Sequence, residues 1–224
     1  MKKLKLKRLV APKWWPIKRK IKKFVVSPRG SHPKDFSIPL LVLIRDVFKL
    51  AETSKEAKKI IKGGEVLVDK KKRKDPKFGV GLFDIIEIPA LKKAWRAAPK
   101  NGLSFIEIPE NETKLKICKI INKKTLKRNK NQLNLNDGRN ILTNKKYSTQ
   151  DSLLIELPEQ KIVDHLKFEK GSLVLVTRGK NAGKLAKIKI IEKNRVWLDN
   201  EKLFEIPKRL IIVVGKEKPL IKIE

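Results

Sequence analysis

Apolar positions recur at helical spacing near the start of the chain and at strand spacing through most of its remaining length. Leu40, Leu43, Ile44, Val47 and Phe48 form one stripe after Ser37 and Pro39, with Arg45 and Lys49 off it. That pattern predicts a helix with one packed face and one cationic face. A second helix opens at Thr53-Ser54-Lys55-Glu56, a capping-box sequence in which Thr and Glu satisfy each other's backbone N–H groups. Ala57, Ile60 and Ile61 face inward, Lys55, Lys58, Lys59 and Lys62 face outward, and Gly63-Gly64 stops it.

Strand character then takes over. Glu65 to Asp69 and Phe83 to Ile88 flank a basic loop, Lys70 to Lys74, and turns at Pro76, Gly79 and Gly81. Pro89 to Gly102 reads as a linker carrying Trp95, Arg96 and Lys100. Lys114-Leu115-Lys116-Ile117 alternates, and so do Leu133 and Leu135 before the Asp137-Gly138 turn signal and Ile141-Leu142. Ser152 to Leu157 and Lys161 to Phe168 predict a hairpin through Pro158-Glu159-Gln160. Five further strands are expected near 172–177, 185–191, 195–198, 202–206 and 210–214, a spacing suited to a small five-stranded barrel.

Ahead of all this, Met1 to Lys34 contains only basic charges, with Trp14, Trp15 and Phe24 among them and Pro12, Pro16, Pro28 and Pro33 blocking regular helix. It reads as an extended arm whose aromatic rings either stack on bases or cover the next domain. The expected fold class is therefore α+β, in four parts: a basic arm at 1–36, a small helix-pair-plus-sheet domain with its linker at 37–102, a central β domain at 103–168 and a small SH3-like β-barrel at 169–224.

Charge decides what such a chain binds. Of 224 residues, 56 are Lys or Arg and 24 are Asp or Glu, a formal net charge of +32. Like charges oppose compaction until a polyanion neutralises them and its counterions are released, so a nucleic-acid partner is expected. An apolar fraction of 40 % is enough for packed cores, so this is not a disordered tail. No apolar run reaches the eighteen residues a membrane span needs, and no apolar segment with a cleavage site follows the basic start, so a soluble, intracellular protein is expected.

Three stretches carry a resemblance. Leu6 to Trp15 resembles the N-terminal signature of the archaeal and eukaryotic small-subunit ribosomal protein family S-four-e. The segment from about Ile38 to Ile88 resembles the S-four RNA-binding domain, with Arg45-Asp46 in its first helix and Lys62 to Asp69 after its second. Val163 to Phe168, followed by Gly171, Val174, Val176, Gly179, Gly183 and Ile188, is similar to that family's KOW segment, although Ala186 stands where a glycine is usual. Asp137-Gly138-Arg139 also fits the family's pattern, so the similarity runs nearly the whole chain in the family's domain order.

The resemblance implies a structural, non-enzymatic component of the small ribosomal subunit, in the cytoplasm, with small-subunit ribosomal RNA and neighbouring ribosomal proteins as partners. The residues expected at RNA are Arg8, Lys13, Trp14, Trp15, Arg19 and Arg29 in the arm; Arg45, Lys49, Lys55, Lys58, Lys59 and Lys62 on the helices; Arg73, Arg96 and Arg139 in loops and strands; and Arg178, Lys180 and Lys184 around the late glycines. Two other readings remain open: a transcription-elongation or antitermination factor, on the KOW similarity, and the RNA-recognition part of an RNA-modifying enzyme.

Catalysis finds little footing. Gly171, Gly179 and Gly183 lack the Gly-Lys-Ser/Thr ending of a phosphate loop, and Asp84, Glu87, Asp137, Asp151 and Asp164 sit by turns or strands where carboxylates pair with lysines, cap or stay solvated. His32 and His165 have no metal-ligand spacing, and Cys118, between Ile117 and Ile120, reads as a small core residue. No cofactor, metal, membrane or small-molecule substrate is expected.

Overall fold

A computed structural model describes residues 6–126, 130–200 and 202–223. The first helix, α1, spans Leu40–Val42 and runs on into a wider π-type turn, Leu43–Val47, so that Leu40 to Ile44 are all buried. The second, α2, spans Ser54–Gly63. Its capping box forms as the sequence requires: the Thr53 hydroxyl accepts from the Glu56 N–H, and the Glu56 carboxylate accepts from the Thr53 N–H. Gly64 ends it at φ +81°, a left-handed conformation that a side chain would strain. Ala57 and Ile61 are fully buried, which turns Lys55, Lys58, Lys59 and Lys62 to solvent.

Nineteen short strands make up most of the rest of the described residues. Two pairs are minor: β1 (Leu6–Lys7) with β2 (Phe24–Val25), and β3 (Ile38–Pro39) with β6 (Gly79–Val80). The first large sheet is ordered β5-β4-β7-β8-β9, built from β4 (Leu67–Val68), β5 (Lys71–Lys72), β7 (Ile85–Ile88), β8 (Lys93–Pro99) and β9 (Leu103–Glu107). Here the structure corrects the sequence reading. The stretch read as a linker contains β8, which pairs with β7 on one side and β9 on the other. Ala94, Arg96 and Ala98 are buried on one face and Ala97 on the other, so neither face carries the large aliphatics by which a strand is recognised.

The second sheet is ordered β12-β11-β10-β13-β14: β10 (Leu115–Thr125), β11 (Asn131–Leu135), β12 (Asn140–Thr143), β13 (Ser152–Glu156) and β14 (Lys161–Leu166). Both predicted hairpins are present, the first turning at Asp137-Gly138 and the second at residues 157–160. The third sheet is β18-β17-β16-β15-β19, from β15 (Leu173–Val176), β16 (Leu185–Ile191), β17 (Arg195–Asn200), β18 (Lys202–Pro207) and β19 (Ile211–Gly215). All five expected strands appear, curled into half a barrel, and no pairing between β18 and β19 closes it among the described residues.

The arm does not extend away. Trp15 is 2 % exposed and Ile17 is buried, both within the same core as α1, Ala57, Ile61, Val66 and Ile86. Trp15 Nε1 donates to the Ser37 carbonyl (3.2 Å), and the Arg19 guanidinium donates to the carbonyls of Ala11 (2.9 Å) and Pro12 (2.8 Å). Of the two uses read for its aromatics, Trp15 serves the packing one.

Candidate nucleic-acid interface

Folding the arm back against the helix pair leaves a groove of about 1970 Å³ between them. Arg8, Lys18, Lys22, Arg29, Lys34, Arg45, Lys49, Lys55 and Lys77 line it, against two carboxylates, Asp46 and Glu52. Asp46 is already taken by Arg45 (2.6 Å), which also donates to the Ser54 hydroxyl (2.6 Å). Seven of the nine cations, all but Arg8 and Arg45, are exposed. Beside the groove, Lys55, Lys58, Lys59 and Lys62 recur at steps of three and four along α2 and form one cationic stripe. Such a surface suits phosphates, whose charge satisfies cations that the protein itself leaves unpaired with acids.

The expected RNA residues divide into two groups. Lys13, Arg29, Lys49, Lys55, Lys58, Lys59, Lys62, Lys180 and Lys184 are exposed. Trp14 is half-buried, its Nε1 donating to the Asp35 carbonyl (3.2 Å), and Arg73 lies over the Phe78 ring (4.3 Å). Arg178 pairs with Asp35 (3.0 Å) and lies over Phe36 (4.4 Å), tying the arm to the C-terminal sheet. Others turn inward. Arg96 is fully buried, donating to Glu112 (2.6 Å) and to the carbonyls of Glu112, Leu115 and Lys222, and so holds the C-terminal tail to the first sheet. Burial pulls its pKa down against Glu112. Trp15 and Arg8 are buried, and Arg139 is spent on internal carboxylates. These four are removed from the surface set, because their partners lie inside the fold. Conversely, Lys18, Lys22, Lys34 and Lys77 line the groove without having been singled out; the basic run around them was the available signal.

Beneath the surface lies an ionic cluster that joins the first two sheets and the arm. Lys116, 1 % exposed, places Nζ at 2.6 Å from Asp84, 2.7 Å from Asp69 and 3.2 Å from Asp137. Arg139 contacts Asp69 and Asp137, His32 contacts Asp84 (3.0 Å), and the Ser31 hydroxyl donates to the Asp137 carbonyl. Burial alone would lower the Lys116 pKa, but Asp69, Asp84 and Asp137 raise it well above the ordinary value. At Asp84, burial is outweighed by Lys116 and His32, and the carboxyl is held far below its usual range. Asp137 is likewise lowered, by Lys116 and Arg139 against burial, whereas at Asp69 burial prevails and the pKa stands raised. His32 is raised because Asp84 overcomes its desolvation.

The remaining candidate groups are structural. Cys118 is fully buried with its thiol pushed up by burial and by Asp137, which makes it unreactive. His165 Nε2 bonds Asp151 (2.7 Å) and Glu87 pairs with Lys70 (2.7 Å). Among the described residues no His, Cys, Asp or Glu group is arranged to hold a metal ion, and no helix is long and apolar enough to cross a membrane.

A cationic groove on a scaffold that holds Asp69, Asp84 and Asp137 among its own buried cations points to a polyanion-binding structural protein. Comparison with known proteins agrees. Residues 2–35 match the RS4NT (NUC023) domain, residues 48–86 the S4 domain and residues 97–162 the Ribosomal family S4e. The chain is similar to the small ribosomal subunit protein eS4 of Archaeoglobus fulgidus (45 % identity, covering 97 % of this chain and 89 % of that one) and of Methanocella arvoryzae (40 %, covering 97 % and 96 %). Its fold is similar to the crystal structure of the 30S ribosomal protein S4e from Thermoplasma acidophilum, with a TM-score of 0.73 and 29 % identity over 82 % of this chain and 97 % of that one. The chain belongs to the eS4 family of structural, non-enzymatic small-ribosomal-subunit proteins. The elongation-factor and modifying-enzyme readings gain no support from these comparisons.

Proposed function

We propose that this chain works as a structural component of the small ribosomal subunit by seating ribosomal RNA phosphates in the groove between its arm and its helix pair. The observation that carries this is the lining itself, seven exposed cations against two carboxylates, one of them already paired with Arg45. Lys58, Lys59 and Lys62 extend the contact along α2, and Lys13 extends it along the arm. The chain is divided for this purpose into the arm (1–36), the helix-pair module with its sheet (37–107, to include β9), the central β unit and the C-terminal half-barrel. In the last, a KOW-like turn presents Lys180 and Lys184 between Gly179 and Ala186 toward backbone phosphates or a neighbouring ribosomal protein.

The test is fluorescence anisotropy of the full chain with a small-subunit RNA fragment. Lys49→Glu with Lys55→Glu reverses two groove cations, while Lys187→Glu with Lys189→Glu reverses two exposed cations on β16, outside the groove. The groove pair is expected to weaken binding by at least tenfold more than the β16 pair. Equal effects would remove the groove from the interface.

A further inference from the structure

One surface owes nothing to the groove. In the three-stranded part of the second sheet, register places Asn122 opposite Asn134 and Asn134 opposite Asn140, and in the next row Lys124 opposite Gln132 and Gln132 opposite Leu142. Residues opposite one another share a face, so six side chains stand together on the side away from buried Leu133, Leu135 and Ile141. Gln132 Nε2 donates to Asn134 Oδ1 (3.1 Å), which sets those two amides side by side. All six are exposed or half-exposed, and β12 is the free edge of its sheet.

The composition around this face is one-sided. Between Thr113 and Gln150 the chain has a single carboxylate, Asp137, which is turned inward at 5 % exposure, and a single aromatic residue, Tyr147, which is also buried. Lys114, Lys123, Lys130, Lys145 and Lys146 of the same stretch are exposed. Lysines alone would answer any polyanion. An amide both donates and accepts, so it bonds hydroxyls and base edges that an ammonium recognises poorly. The lack of rings argues against single strands, whose bases are held by stacking. What remains is an acid-free face of amides, Lys124 and exposed Leu142, two strand spacings wide, about 10 Å. That matches the wide, shallow minor groove of A-form RNA, which displays 2′-hydroxyls and base edges.

We infer that the Asn122–Asn134–Asn140 row is a second RNA contact, one that seats in the minor groove of an RNA duplex and bonds 2′-hydroxyls while Lys124 meets a flanking phosphate. The inference rests on the RNA-binding reading above, but uses none of the groove residues.

The experiment uses the full chain and three duplexes of one sequence: RNA, 2′-fluoro RNA, which keeps the A-form but lacks the hydroxyl donor, and DNA. The parent should prefer RNA over the other two. Replacing Asn122, Asn134 and Asn140 together by Ala should weaken RNA-duplex binding roughly 30-fold, at about threefold per lost hydrogen bond. It should shrink the preference over 2′-fluoro RNA and leave the salt slope unchanged, because amides release no counterions. Asn134→Asp, nearly isosteric, repeats the test with a carboxylate and guards against misfolding of the triple variant. Parent-like RNA affinity in either folded variant, or an equal loss on all three duplexes, overturns the inference and leaves the groove standing. A parent chain that binds no RNA at all refutes the groove reading and this inference together.

Discussion

Replacing Lys116 by Met removes the central cation of the buried cluster while keeping most of the unbranched side chain. In the parent, Asp69, Asp84 and Asp137 face Lys116, Arg139 and His32, whose pKa Asp84 raises. Without Lys116, three carboxylates that are each 5 % exposed or less lose their central cation, in a region where water cannot solvate the excess. Removing one partner from a buried ion pair costs about 3–5 kcal/mol, because the charge left behind has lost water as well as its partner. For a chain of this size that is a fall in Tm of roughly 6–20 °C.

The pH dependence separates this from a simple packing defect. The excess charge is relieved by protonating a carboxylate, and Asp69, whose pKa burial already raises, is where the proton goes. A group whose folded pKa lies above its unfolded one stabilises the fold at low pH, so urea midpoints of Lys116→Met should recover as pH falls from 7 toward 5. A loss below about 1 kcal/mol, with urea midpoints parallel to the parent's across that range, would refute the claim that this cluster binds the sheets together.

The same geometry sets three further outcomes. His32, raised by Asp84 against its own burial and set near Lys116 and Asp137, contributes stability that is fully present below its unfolded value of 6.5 and lost as pH rises through its folded pKa; thermal melts of His32→Gln should lack that decline. Lys119 has no carboxylate partner among the described residues, its Nζ donates to the carbonyls of Lys208 (2.7 Å) and Ile211 (2.8 Å), and burial pulls its pKa down to about 8. The unfolded chain therefore binds the extra proton between pH 8 and 10.5, stability rises by about 3 kcal/mol across that window, and Lys119→Met should abolish the rise in denaturant titrations. Lys58→Glu with Lys62→Glu leaves the α2 core face untouched, so it should preserve the melting temperature while weakening RNA binding across unrelated sequences; an unchanged affinity would take α2 out of the interface.

Local grammar made much of the fold legible. The α2 capping box, the Asp137-Gly138 turn and the five C-terminal strands each depend on residues a few positions apart, and each forms where its residues stand. The misreadings share one cause. Arg96 looked like a surface arginine because Glu112 and Lys222 lie 16 and 126 residues away, and the alternation around Lys116 gave no sign of its partners because Asp69 and Asp84 lie 47 and 32 residues back. A strand covered on both faces shows no alternation, and nothing near it announces a distant carboxylate. The arm was legible as basic and aromatic, yet the choice between packing and stacking for Trp15 turned on the Ser37 carbonyl and the core of α1.

Phosphate neutralisation by the groove and the α2 stripe is the central claim, and the salt dependence of binding reads it directly. If roughly eight phosphates are contacted, a log-log plot of the association constant of the full chain for a small-subunit RNA fragment against salt concentration should have a slope of about −6 to −7. A slope near zero would mean that the cations lining the groove do not meet RNA phosphates.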